Sequence, residues 1–271
     1  MVSSLAPPPR NVRAEPVMGT VITVDVRDAD LPESAMDAVF AWFHDVDETF
    51  STFRIDSEIS RLSRSELREH ECSPDVREVL ALCEEVRVCS NGSFDIRRSG
   101  GIDPLGLVKG WSVERASTIL ATAGARNFFI NAGGDIVARG RPEPSRTWRL
   151  GIRHPERADS VAAVLAIRDV AVATSGTYER GEHIVDPRSG LPPSGLLSMT
   201  VVGPSLTFAV AYSTAAFVMG ERGAAWVAGI DGYDALAITT QRRTVWTAGI
   251  EAMLVRDGGT ARRAARPVGS A

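Results

Sequence analysis

The feature of this 271-residue sequence that most restricts its fold is a succession of short strand-like segments in its middle. The segments cover residues 127–131, 136–139, 148–153, 161–168 and 170–173. The pair Gly133-Gly134 predicts a tight connection between the first two. Connections this short leave no room for the crossover that parallel neighbours need. The succession therefore predicts a largely antiparallel sheet.

Regular apolar spacing before and after this region predicts the remaining elements. Helices are expected over 33–50, 73–91, 107–123, 208–219 and 221–229, and strands over 17–26, 197–202, 234–239, 244–246 and 250–255. We expect an α+β fold of mixed, largely antiparallel sheets flanked by helices, in two closely packed lobes. Residues 1–15 are expected to form a flexible arm, 16–257 the folded domain and 258–271 a disordered tail.

Composition and charge limit which partners the chain is expected to bind and in which cellular compartment it is expected. The net charge of −4 offers no basic surface for nucleic acid, and no apolar run is long enough to span a bilayer. The three cysteines lack CxxC spacing, which suits reduced thiols. The first 16 residues contain neither the apolar core of a signal peptide nor a cysteine for a lipid anchor. A cytoplasmic location is expected.

Lys109 is the only lysine of the chain, and the other 29 basic residues are arginines. It follows a glycine-rich segment, 99–106, and is predicted in the first turn of a helix. Free N–H groups at a helix start, with a lysine beside them, suit a phosphate or another anion. The alternative is a glycine-rich connection that carries an exposed lysine. The local sequence does not separate the two.

Three further clusters carry polar side chains at the ends of apolar segments. Thr174, Ser175 and Gly176 end a strand, His183 and Asp186 bracket a proline turn, and Thr214 lies one helical turn after Val210. Each also has an ordinary structural interpretation: a strand end, a turn and a core helix. The order in which the clusters occur is more informative than any one of them.

In that order the segments resemble the ApbE family of flavin transferases, the FAD:protein FMN transferases. The matching segments are 18–20, 50–54, 57–59, 92–95, 103–110, 131–135, 173–176, 183–187, 211–214 and 217–220. The resemblance implies a flavin site between the two lobes. It also implies Mg²⁺-dependent transfer of the FMN half of FAD to a Thr or Ser hydroxyl of a flavoprotein, with release of AMP. The alternatives are an FAD pyrophosphatase and an FAD-binding protein with weakened catalysis.

The resemblance also implies roles for particular residues. The expected FAD-binding residues are Met18, Phe53, Phe94, Asp95, Ile96, Asp103, Lys109, Thr174, Ser175, Gly176, His183 and Asp186. Lys109 and His183 are expected to be catalytic, with His183 activating the acceptor hydroxyl. The carbonyl of Gly106 and the side chain of Thr214 match metal positions.

Two residues depart from the family pattern. Val210 stands where the family usually has a metal-binding aspartate, four residues before Thr214. Mg²⁺ prefers hard oxygen ligands, so this change predicts weaker metal binding. Pro104 follows Asp103 where leucine is common, which stiffens the loop and removes one N–H donor.

Overall fold

A nine-stranded sheet covered by helices organises the chain. The computed structural model describes residues 11–98, 101–177, 184–255 and 265–267. The strands are β1 (Asn11–Val17), β2 (Thr20–Val26), β3 (Arg97–Arg98), β4 (Gly101–Ile102), β5 (Phe128–Ala132), β6 (Asp135–Arg139), β7 (Trp148–His154), β8 (Arg157–Ile167), β9 (Val170–Gly176), β10 (Leu196–Gly203), β11 (Asp234–Thr239), β12 (Thr244–Trp246) and β13 (Ala265–Pro267). The helices are α1 (Glu33–Phe50), α2 (Glu58–Ser63), α3 (Pro74–Cys89), α4 (Leu105–Thr122), α5 (Leu206–Val218), α6 (Gly223–Ala228) and α7 (Ala248–Met253), with 3₁₀ turns at Glu69–Glu71 and Gly220–Arg222.

The strand order of the main sheet is β1-β2-β5-β6-β9-β10-β11-β12-β13. Its strand pairs are antiparallel except β12 with β13, which is parallel. Strands β7 and β8 form a separate hairpin, and β3 pairs with β4. The predicted fold class, mixed and largely antiparallel sheets with helices, is therefore confirmed.

The two faces of the sheet belong to two different apolar clusters. On β9, Ala171 and Ala173 face the larger cluster, to which the helices contribute, while Val172 faces a smaller one that contains residues of the β7–β8 hairpin. Successive strand residues point to opposite faces, so central strands such as β9 are buried on both sides. The small alanines leave room for α5, which packs on β9 and β10.

Several predicted elements are confirmed, and others need correction. Helix α1 and strands β11 and β12 have the predicted bounds, whereas the strand predicted over 250–255 is wrong because that segment begins inside helix α7. The predicted flexible arm overlaps β1, since residues 11–15 pair with β2. The predicted disordered tail likewise contains β13, which pairs with β12. Edge strands such as these form through backbone hydrogen bonds, which apolar spacing does not report.

No helix within the described ranges is both long enough and apolar enough to cross a membrane.

Candidate functional site

An ion pair joins Lys109 to Asp135, the first residue of β6. The Nζ–Oδ2 distance is 2.5 Å, and the side chains are 23% and 5% exposed. The other carboxylate oxygen, Oδ1, accepts the backbone N–H of Thr174 at 3.3 Å. Asp135 on β6 therefore contacts both α4, through Lys109, and β9, through Thr174. Because α4 begins at Leu105, Lys109 lies in the second turn of the helix rather than in the predicted first.

Three hydroxyl groups meet between the end of β9 and the middle of α5. The Oγ of Ser175 lies 2.9 Å from the Oγ of Ser213 and 3.2 Å from the Oγ1 of Thr214. Both α5 hydroxyls also donate to the carbonyl oxygen of Val210, at 2.9 and 3.1 Å. We call Ser175, Ser213 and Thr214 the hydroxyl cluster. It begins one residue after Thr174, whose N–H binds Asp135, so the ion pair and the hydroxyl cluster are adjacent.

Helices α4 and α5 run in opposite directions and touch closely. The carboxylate of Glu114 accepts the N–H of Thr207 near the start of α5. One turn earlier in α4, a Cβ added to Gly110 would lie 3.0 Å from Cγ2 of Val210. This direction brings Gly106, a further turn earlier, toward the turn of α5 that carries the hydroxyl cluster. The two residues expected at the metal, Gly106 and Thr214, are thus on facing segments.

The segment before α4 is shaped by two aspartates. The Oδ1 of Asp103 accepts the N–H of Leu105 at 3.2 Å, which satisfies one of the free donors at the helix start. The Oδ1 of Asp95 accepts the N–H of Arg97 at 2.9 Å. Both carboxylates hold the backbone turn on which the expected FAD contacts lie.

Two of the apolar residues expected to contact FAD have buried side chains. Phe94 is 4% exposed and Ile96 is 7% exposed. The Phe94 ring lies under α4, because a Cβ on Gly106 would be 3.4 Å from its Cε2. Both side chains belong to the larger apolar cluster, as do Leu107 and Val108 of α4.

Met18 and Phe53 lie in turns outside the sheet and helices. Met18 has φ of 55° in the β1–β2 turn, and its Sδ lies 3.6 Å from the hydroxyl of Ser112 on α4. Phe53 is 94% exposed, the largest exposure among the bulky apolar residues of the described ranges. An aromatic ring left this open gains little from the fold, and its expected contact with FAD stays a prediction.

His183 lies outside the described residues, so its catalytic role stays a prediction. Asp186 follows it in a turn, where it forms an ion pair with Arg188 at 2.8 Å. The hydrogen bond from the Arg188 guanidinium holds the pKa of the Asp186 carboxyl below its usual value. Asp186 is thus paired with a neighbour in the chain, and its role in FAD binding stays a prediction.

The comparisons with known proteins agree on one family. A model of the ApbE family matches residues 18–101 and 96–237. The chain belongs to the ApbE family. It is 33% identical over 133 residues to the FAD:protein FMN transferase of Haemophilus influenzae, a match that covers 44% of this chain and 38% of that protein. The Rhodobacter capsulatus FAD:protein FMN transferase is 36% identical over 121 residues, covering 42% and 23%. The chain thus matches less than half the length of these relatives.

Solved structures of ApbE proteins share the fold. The chain superposes on the flavin transferase ApbE from Vibrio cholerae with a TM-score of 0.80 at 21% identity, covering 91% of this chain and 99% of that one. The ApbE protein of Thermotoga maritima gives a TM-score of 0.80, also at 21% identity, over 92% of this chain.

The residues that match the family's metal positions do not form a good Mg²⁺ site here. Gly106 and Thr214 offer a carbonyl and a hydroxyl, both neutral, and Val210 offers methyl groups. The carboxylate of Asp135 is bound to the Lys109 ammonium. Among residues that the structure describes, no three Asp, Glu, His or Cys side chains come together. Mg²⁺ is usually held by one or two carboxylates, so this donor set does not fit it.

Asp135 and Ser213 are the site residues to which the sequence assigned no role. Asp135 stands in the matched segment 131–135, directly after the glycine pair, and Ser213 precedes Thr214. The signal for Asp135 was an acidic residue at the start of a buried strand, where a charge needs a partner. Lys109 or any of the 29 arginines could supply that partner, so the sequence alone does not identify the pair.

Proposed function

We propose that this chain binds FAD at the Lys109–Asp135 pair and the hydroxyl cluster, and that it transfers the FMN half to a Thr or Ser hydroxyl of an acceptor flavoprotein. The acceptor oxygen bonds to the FMN phosphorus as the bond from that phosphorus to the bridging pyrophosphate oxygen breaks. AMP leaves with the bridging oxygen, and the hydroxyl proton passes to a base. The family match and its relatives, which are FAD:protein FMN transferases, support this reaction.

One observation carries the proposal at the level of the site. The single lysine is held by a buried carboxylate beside the hydroxyl cluster, at the point where α4, β6, β9 and α5 meet. An ammonium fixed in this way is placed to stabilise negative charge on pyrophosphate oxygens as their bond breaks. Because the donors near Thr214 do not suit Mg²⁺, no step of the proposed transfer is assigned to a metal.

Three residues outside the ion pair and the hydroxyl cluster also have proposed roles. Phe53 presents an open aromatic surface for the isoalloxazine ring, and Met18 lies over α4 beside Ser112. His183 is proposed as the base that takes the acceptor proton, a role that rests on the resemblance alone. The domain that does this work is proposed to be residues 16–257, extended by the earlier residues of β1.

A second candidate is an FAD-binding protein with weakened catalysis. The observation that favours it is Val210, which puts methyl groups where the family usually has an aspartate. Such a protein would bind FAD and retain it without turnover.

The two candidates are separated by incubating the chain with FAD and an acceptor flavoprotein that carries a threonine target. Transfer predicts a covalent flavin band on the acceptor in a denaturing gel, together with AMP in equal amount. FAD binding without either product would select the second candidate. AMP and free FMN without acceptor would identify a pyrophosphatase instead.

The variant K109R tests the role of the lysine in the same assay. It keeps the charge but replaces a compact ammonium with a wider, planar guanidinium. We expect transfer to fall about 10-fold or more, since misplaced charge at a transition state is costly. Unchanged transfer by K109R would contradict the assigned role of Lys109.

A further inference from the structure

Val210 fills the turn of α5 at which a metal-binding carboxylate would be expected. Its side chain is 6% exposed and belongs to the larger apolar cluster. Its Cγ2 faces Gly110 of α4 across the helix contact. The packed Val210 side chain therefore takes the place of the metal-binding carboxylate.

The hydroxyl cluster is already internally satisfied. Ser213 and Thr214 each direct a hydrogen to the carbonyl of Val210, and Ser175 lies within hydrogen-bond distance of both oxygens. With two hydrogens used on the carbonyl, the Ser175 hydrogen is left to bridge to a neighbour. The cluster keeps lone pairs, but it carries no charge that would offset a dication.

The charge balance beside the cluster also disfavours a dication. Asp135 and Lys109 together are neutral, and Asp135 has one oxygen on the ammonium and the other on the Thr174 N–H. A divalent cation that used Asp135 would have to displace the ammonium or lie next to it, and like charges repel strongly in a partly buried site.

From these contacts we propose that the flavin-phosphate site of this chain holds no divalent cation of its own, and that Lys109 is the cation that meets the pyrophosphate of FAD. The FAD part rests on the proposed function. The cation part rests on Val210, the hydroxyl cluster and the ion pair, and it is measurable without FAD. Binding of FAD is then independent of Mg²⁺, and Asp135 acts as a positioning residue for the ammonium.

The single substitution V210D is expected to give the site a divalent cation. V210D places a carboxylate four residues before Thr214, within a buried turn that already offers hydroxyl oxygens. The site then has a net negative charge, and a divalent cation is expected to bind and to relieve the buried charge. V210N is the matched control, because asparagine has the same shape without the charge.

The experiment uses the full chain and two readouts. Mn²⁺ binding is followed by the loss of its free electron-paramagnetic-resonance signal, without FAD. FAD affinity is followed by quenching of flavin fluorescence, once with EDTA and once with millimolar MgCl₂. For the wild type we expect no stoichiometric Mn²⁺ binding and a change in the FAD Kd below about fivefold, the lower end of typical coupling between two ligands. For V210D we expect stoichiometric Mn²⁺ binding and a melting temperature that rises with Mg²⁺, neither of which V210N shows.

Stoichiometric Mn²⁺ binding by the wild type, or an FAD Kd that tightens about fivefold or more with Mg²⁺, would overturn the proposal. Equal behaviour of V210D and V210N would overturn the assignment to the missing carboxylate. If V210D does not fold, the two wild-type measurements still decide. A chain that fails to bind FAD under any condition would refute the proposed function, while the Mn²⁺ measurement would decide the cation question separately.

Discussion

Removing one partner of the Lys109–Asp135 pair is expected to have unequal effects. K109M leaves the buried Asp135 carboxylate, 5% exposed in the wild type, with the hydrogen bond from the Thr174 N–H. D135N leaves an ammonium that is 23% exposed and stands on a flexible stem, so it can move into water. The carboxylate has no such escape, because it is fixed at the start of a buried strand.

The exposed fractions of the two side chains set how much unfolding free energy each variant is expected to lose. Breaking a buried pair by removing one partner costs about 3–5 kcal/mol, which we expect for K109M. For D135N we expect about 1–2 kcal/mol, the cost of a lost hydrogen bond to a charged group that regains water. The double variant removes both charges, so it is expected to be less destabilised than the sum by about 1–3 kcal/mol. At roughly 2–4 °C per kcal/mol, K109M should melt about 6–20 °C below the wild type.

Urea unfolding of the four proteins, wild type, K109M, D135N and K109M/D135N, measures these free energies in one double-mutant cycle. Comparable urea dependence in all four is the control for a common unfolding transition. If D135N is as destabilising as K109M, or if the two effects add, the carboxylate is not a buried charge that depends on the lysine. The inferred coupling would then be wrong.

Three further predictions concern packing, exposure and charge. G110A is expected to lower stability by about 1–3 kcal/mol in thermal melts, although alanine favours helices, because its Cβ would press on α5; equal stability would refute this. F53A should change stability by less than about 0.5 kcal/mol but weaken FAD binding, whereas F50A, at a buried ring, should cost about 3–5 kcal/mol. The Arg188 pair holds the pKa of Asp186 low, so its stabilisation is present above about pH 4 and lost as pH falls. D186N should therefore lose less stability than wild type between about pH 5 and 3, by up to about 1 kcal/mol in urea unfolding.

The sequence predicts elements whose apolar spacing is strong and local. Helix α1 follows its predicted bounds because one face carries a regular series of buried side chains. Strands such as β11 are bounded by turns and buried at every residue after the first. In both cases the decisive information lies within one segment.

The failures come from contacts between segments. Helix α7 was predicted as a strand, but the carboxylate of Asp234 accepts the N–H of Gly249 and the hydroxyl of Thr247, which satisfies the start of a helix. The ion pair of Lys109 with Asp135 likewise joins residues that are far apart along the chain. Apolar spacing does not report which charged side chains the fold brings together, since Asp25 is buried as well as Asp135 and the chain carries 29 arginines besides its one lysine.

The position of β2 in the sheet has a consequence for synthesis. One edge of β2 pairs with β1, which precedes it directly, while the other pairs with β5, from Ile22 opposite Ala132 to Val26 opposite Phe128. About 100 residues of chain separate the two strands. At roughly 5–20 residues per second, a ribosome needs about 5–20 s to deliver β5 after β2. During that interval β2 presents an unpaired edge that is rich in valine and isoleucine, which exposes the emerging β1–β2 hairpin to pairing with other chains.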